Sequence, residues 1–163
     1  PMTYLFRSFS VTFFLINTHA SLGLGIALLV ELMGCVKRKS NGKLNGKHIL
    51  VVEDHPLIGA LIANLLKGYD DASHAHSGKE ALREIRHKQP DIVLLDLCLP
   101  DMSGLELARK LRKNQRTKSI PILAMSGFQI EKKECSEAGC NDFILKPFNT
   151  SQLLDQLAAL VRT

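Results

Sequence analysis

Three carboxylates, one hydroxyl and one amine follow short apolar runs in an order suited to handling a phosphoryl group. Glu53 and Asp54 follow the run 48–52, Asp96 follows 92–95, Ser126 follows 120–125, and Lys146 follows 143–145. Gathered in one place, Glu53, Asp54 and Asp96 would repel and raise one another's pKa unless a cation sat among them. Oxygen donors select a hard cation, and magnesium (or manganese) suits the task because it keeps waters that a phosphate can replace. The Asp96 carboxylate could then act as a nucleophile toward a phosphoryl donor, as aspartyl carboxylates do in phosphoenzymes. The Lys146 ammonium and Ser126 hydroxyl would hold the phosphoryl oxygens, where transition-state charge develops. Taken singly, each residue has an ordinary reading: a turn-capping carboxylate, a strand-end hydroxyl, a surface cation. Their combination carries the functional one.

Such residues meet only if a parallel sheet delivers them. From residue 47 onward, apolar runs of strand length alternate with stretches of helical period, which predicts a parallel sheet covered by helices on both faces. A strand over 48–52 leads to a helix with Pro56 in its first turn, Leu57, Ile58, Leu61, Ile62 and Leu65 inward, and Gly68 closing it. Residues 69–76 read as a weak strand near the sheet edge. Ser77 with Glu80 forms a capping box for a helix burying Ala81, Leu82 and Ile85. The strand 92–95 is apolar on both faces, and a turn over 100–104 leads to a helix started by Ser103 with Glu106. A strand over 120–125 tolerates Pro121 near its start. A polar helix over 129–138, a strand over 143–145 and a last helix capped by Asn149 or Thr150 complete five units. That last helix turns Leu153, Leu154, Leu157, Leu160 and Val161 inward. In such a sheet, ligands bind beyond the carboxyl ends of the strands, where these polar residues stand.

The 163 residues allow one full domain and a few dozen residues more. The net charge of +5 is uneven: residues 1–46 hold five basic side chains against Glu31, and the remainder hold 16 basic and 15 acidic ones. That balance gives little support for direct nucleic-acid binding. The cluster Arg109, Lys110, Arg112, Lys113, Arg116 and Lys118 reads as a solvated helix end. Cys35, Cys98, Cys135 and Cys140 form no metal-ligand or disulfide pattern, which fits a reducing cytoplasm. His55, beside the acidic pair, is expected to point outward at the helix start rather than to a metal.

The segments Val51-Val52-Glu53-Asp54, Leu94-Leu95-Asp96, Leu99-Pro100-Asp101-Met102-Ser103-Gly104, Met125-Ser126-Gly127 and Lys146-Pro147-Phe148 resemble the response-regulator receiver family of two-component phosphorelays, over residues 47–163. The resemblance implies a flavodoxin-like, doubly wound α/β fold: a five-stranded parallel sheet of order 2-1-3-4-5 with five helices. It implies Asp96 as phosphoacceptor, Asp54 as a direct metal ligand, Glu53 as a ligand through water, and the Cys98 backbone carbonyl as a further ligand. Lys146 becomes the phosphate contact, and Ser126 with Phe143 the switch pair that alters the face of the fourth helix, fifth strand and fifth helix. Taken alone, Phe143 reads equally as a core aromatic. The implied partners are a histidine kinase or histidine phosphotransfer protein and a downstream protein on that face. Such a chain catalyses its own phosphorylation and dephosphorylation. Glu53 in place of the commoner aspartate, Phe143 without a tyrosine hydroxyl, and Cys98 at a variable position bear on phosphoryl lifetime. A receiver-fold interaction module that is never phosphorylated is the alternative; the missing ATP-binding boxes and phosphorylatable histidine helix count against kinase activity. With no output domain after residue 163, the chain is expected to act through partners or within a larger relay.

Residues 1–46 form a separate apolar and basic segment. The stretch 11–36 followed by Lys37-Arg38-Lys39 has the form of a membrane span with its cytoplasmic flank, although Asn17, His19 and Glu31 interrupt it. A signal peptide is a further reading of Arg7 and the apolar run behind it. The letters Leu5-Phe6-Arg7-Ser8-Phe9-Ser10, Leu22-Gly23-Leu24-Gly25-Ile26-Ala27 and Leu29-Val30-Glu31-Leu32-Met33-Gly34 resemble the end of a histidine-kinase ATP-binding domain, as a degenerate remnant from a hybrid sensor kinase.

Overall fold

The computed structural model describes residues 44–67, 71–127 and 132–161. The readings of the front segment as kinase remnant, membrane span or leader fall on residues 1–43, outside the described residues, as do Gly68 and residues 128–131.

Five strand-helix units alternate along the chain: β1 (His48–Val52), α1 (Pro56–Lys67), β2 (Asp71–Ala75), α2 (Gly78–His87), β3 (Ile92–Asp96), α3 (Gly104–Lys113), β4 (Ile122–Ser126), α4 (Lys132–Glu137), β5 (Asp142–Leu145) and α5 (Thr150–Leu160). The strands pair in parallel in the order β2-β1-β3-β4-β5, giving a flavodoxin-like α/β fold with β2 at one edge. The order reverses between β1 and β3, and the site lies beyond their carboxyl ends.

Alternate side chains of each strand enter opposite layers. Ile49, Val51 and Leu94 pack with Ile58, Ile62 and Leu66 of α1 and Leu153 and Leu157 of α5. Leu50, Val52, Val93 and Leu95 pack with Ala81 and Ile85 of α2, Leu107 and Leu111 of α3, and Cys135 of α4. Each fully buried large apolar side chain contributes roughly 1.5–3 kcal/mol. With both faces covered, the strands read as continuous apolar runs. Leu44, ahead of β1, also belongs to the first layer.

Leu57 departs from expectation. It is 68% exposed, because the inward row of α1 runs through 58, 62 and 66, and residue 57 lies a helical step off it. Ala63 and Leu66 complete that row instead. The fourth strand starts at Ile122 rather than 120 and takes in Ser126. Pro121 has no N–H for the ladder, though its carbonyl accepts from Val93 N–H at 2.9 Å.

The caps refine the expected motifs. Ser77 accepts from Glu80 N–H at 3.2 Å, but the Glu80 carboxylate takes the N–H of His76 at 2.8 Å, one residue before the cap. Ser103 accepts from Leu105 N–H, while Glu106 pairs with Lys110 rather than closing a box. Asn149, not Thr150, caps α5, in a reciprocal box with Gln152. Among the described residues, no helix is long and apolar enough to cross a membrane.

Candidate functional site

Asp96 ends β3, 5% exposed, and Glu53 follows β1, 2% exposed. β1 and β3 are neighbours in register, Val52 opposite Leu95, so the two carboxylates emerge side by side. Lys146, just beyond β5, reaches across: its Nζ is 2.6 Å from Glu53 Oε2 and 2.6 Å from Asp96 Oδ2. Asp54 is exposed at the rim. Glu53, Asp54 and Asp96 each offer an oxygen within 4.8 Å of the others. The Cys98 N–H donates to Asp96 Oδ1 at 3.0 Å, fixing the carboxylate from the β3–α3 loop.

The electrostatics follow from burial. Burial pushes the Glu53 carboxyl up to about 7; Lys146 opposes the rise and Asp96 adds to it. Burial also works against the Lys146 charge, but the Asp96 and Glu53 carboxylates outweigh it and hold the ammonium above its ordinary range. Burial and then Asp96 raise the exposed Cys98 thiol. Three carboxylates thus share one ammonium, an excess of negative charge that a divalent cation would balance. The donors are all oxygens, as magnesium requires, so the residues present fit that ion.

Ser126 is 1% exposed at the end of β4, beside β3. Lys146 N–H donates to the Ser126 carbonyl at 2.7 Å, tying the ends of β4 and β5 together. Phe143 is set further back, opposite Ala124, and is half-buried against the second core layer. The structure therefore clusters Glu53, Asp54, Asp96 and Lys146, puts Ser126 at the adjoining strand end, and keeps Phe143 outside the cluster. His55 is half-buried rather than turned fully outward, with its N–H 3.4 Å from Glu53 Oε1. Its ring is not in the carboxylate group.

Backbone fit completes the site. Gly104 N–H donates to the Leu97 carbonyl at 2.9 Å, and a Cβ at 104 would lie 2.3 Å from the Asp96 carbonyl oxygen. Only a glycine lets α3 start this close to the end of β3.

Sequence reasoning missed three supporting residues. In the sequence Asp101 stands only as part of a turn and of the motif 99–104. Its carboxylate accepts from the N–H groups of Gly78 and Lys79, both at 2.9 Å, joining the β3–α3 loop to the start of α2. His74 was read only as part of a weak strand. Its Nε2 meets the Glu53 carbonyl at 2.8 Å, and burial lowers its pKa. Arg112 is not the solvated helix-end cation expected. It is half-buried and donates to the carbonyls of Gly139 and Ile120 and to Asn141 Oδ1, at 2.8, 2.8 and 2.9 Å. A strand-end histidine and a turn aspartate announce neither partner.

Comparison with known proteins agrees with this geometry. Residues 49–158 match the family described as the response regulator receiver domain. The phosphate regulon transcriptional regulatory protein PhoB of Pseudomonas aeruginosa is 38% identical over 121 residues, covering 72% of this chain and 52% of that protein. The chemotaxis protein CheY of Thermotoga maritima is 31% identical over 114 residues, covering 69% of this chain and 95% of that protein. A crystal structure of the receiver domain of a Pseudomonas aeruginosa sensor histidine kinase, with a magnesium ion coordinated in its active-site cleft, superposes with TM-score 0.65 at 28% identity, covering 71% of this chain and 98% of that one. The chain thus spans about half of PhoB but nearly all of CheY. It belongs to the response regulator receiver domain family, and its function is that of a receiver in phosphorelay signalling.

Proposed function

We propose that Asp96 is the phosphoacceptor and that Glu53, Asp54, Asp96 and the Cys98 backbone carbonyl hold magnesium (or manganese), Glu53 through water. The observation that carries this reading is the bridging of Glu53 and Asp96 by Lys146, with Asp54 in ligand reach of both. The magnesium in the cleft of the sensor-kinase receiver supports the choice of ion. When bound, the cation supplies charge stabilisation for the phosphoryl oxygens. An Asp96 carboxylate oxygen attacks phosphorus, the bond from phosphorus to a donor histidine nitrogen breaks, and the electron pair leaves with the imidazole. Lys146, already at Asp96 Oδ2, moves onto the incoming phosphoryl oxygens. The Cys98 N–H holds the nucleophile in line from behind.

Ser126 turns its hydroxyl toward the acyl phosphate, and Phe143 rotates inward behind it, changing the face made by α4, β5 and α5. A histidine kinase or histidine phosphotransfer protein is the donor, and a protein partner reads the altered face. The domain division at residues 46 and 47 belongs to this reading, although Leu44 ahead of it packs into the receiver core; so does a cytoplasmic location, supported by the free thiols of Cys98, Cys135 and Cys140. The letters of residues 5–34 support a hybrid-kinase context.

The test is intact mass spectrometry after treatment with phosphoramidate and magnesium, beside Asp96→Asn and a chelated control. A single phosphoryl gain that needs both the metal and Asp96 is expected. No gain, under conditions that label a known receiver, would favour a module that binds without being phosphorylated.

A further inference from the structure

The acidic pair at the end of β1 is held from the edge strand by a side chain that takes no part in the cluster. His74 of β2 lies with its Nε2 2.8 Å from the Glu53 carbonyl oxygen. The backbone of Glu53 is tied to the same strand a second time, where its N–H donates to the Ala75 carbonyl at 3.0 Å. The ring occupies space that α1 leaves open: a Cβ on Gly59 would lie 1.9 Å from the imidazole Nε2. His76 packs against its outer side, ring centroids 4.1 Å apart.

The geometry matters because the Glu53 carbonyl belongs to the planar peptide unit that runs to the Asp54 α-carbon. Fixing the direction of that oxygen fixes the plane from which the Asp54 backbone and side chain depart. Asp54 is exposed, whereas a metal ligand binds best when held in place beforehand. An imidazole protonated on Nε2 donates to the carbonyl.

We propose that His74 is a positioning residue for the cation site: seated against the bare backbone of Gly59, its ring holds the Glu53 carbonyl and so sets the Glu53–Asp54 pair in its ligand geometry. This rests on the metal-binding reading given above. The arrangement gives Gly59 a role as well, since any side chain there displaces the ring.

The test is magnesium titration by calorimetry on the whole chain, with urea unfolding of each variant in chelator. His74→Phe fills the slot without a donor, His74→Gln can reach the same carbonyl with an amide N–H, and Gly59→Ala evicts the ring while favouring the helix. The expected result is roughly tenfold weaker magnesium binding in His74→Phe and in Gly59→Ala, the usual scale for losing a group that orients a ligand. His74→Gln should recover most of the affinity, and Gly59→Ala should keep its urea midpoint. Wild-type affinity in His74→Phe overturns the proposal. So does weak binding confined to variants whose urea midpoint has also fallen. If the wild type takes up no magnesium, or Asp54→Asn takes it up equally well, the site reading itself fails and the positioning role falls with it.

Discussion

Lys146 Nζ stands 2.6 Å from Asp96 Oδ2 and 2.6 Å from Glu53 Oε2, so one ammonium from beyond β5 bridges the ends of β1 and β3. The contact spans 93 residues of sequence on one side and 50 on the other, and it compensates two carboxylates that are almost wholly out of water.

Replacing Lys146 with Met leaves those carboxylates with no nearby cation. Breaking a buried pair by removing one partner costs roughly 3–5 kcal/mol. A proton returning to Glu53 offsets part of it at low pH. Urea unfolding without metal should therefore show a loss of about 3 kcal/mol at pH 8 that shrinks at pH 6 and shrinks again with magnesium. An unchanged midpoint at pH 8 would contradict the bridge.

The pH dependence follows from Glu53. Its carboxyl is raised from 4.5 to about 7, so within that window the folded chain binds more protons than the unfolded one. Metal-free stability should fall as pH rises through the window and level off above about 7. Cation binding favours the ionised carboxylate, so magnesium affinity should rise with pH over the same range, by up to about tenfold per unit, with proton release. Calorimetry in buffers of different ionisation enthalpy measures both, and Glu53→Gln should flatten the profile.

Asp101 should act through α2. Burial raises its carboxyl, but the amides of Lys79 and Gly78 together outweigh that and hold it below the usual carboxylate range. Its contribution is present above the ordinary carboxylate pKa and lost as pH falls below it. Asp101→Ala removes a cap on two N–H groups and should cost about 1 kcal/mol in urea unfolding at pH 7. Faster amide exchange at Gly78 and Lys79 should accompany it.

Arg112 predicts a stability loss with no chemical phenotype. It ties the end of α3 to the amino ends of β4 and β5, at the opposite pole from Asp96. Arg112→Lys cannot reproduce a three-way planar fork and should cost about 2 kcal/mol. Phosphoryl uptake measured by mass should be unaltered.

The elements that could be read from sequence were those whose signal is local. Continuous apolar runs marked β1, β3 and β4 because both sheet faces are covered, and the polar residue ending each run marked the site. Leu57 misled because period alone does not say which of two adjacent apolar residues leads the inward row. His74, Asp101 and Arg112 escaped because they reach partners as far as 21, 23 and 29 residues away. A side chain that serves a distant backbone atom leaves no pattern near itself.

The bare α-carbon of residue 104 leaves the signalling function open to a lesion that alters no charge. One added methyl group would collide with the backbone of Asp96 and Leu97, which has no rotamer to change and can only shift bodily. A genetic screen for chains deaf to their donor should therefore recover substitutions at codon 104 that leave every acidic residue and the lysine untouched.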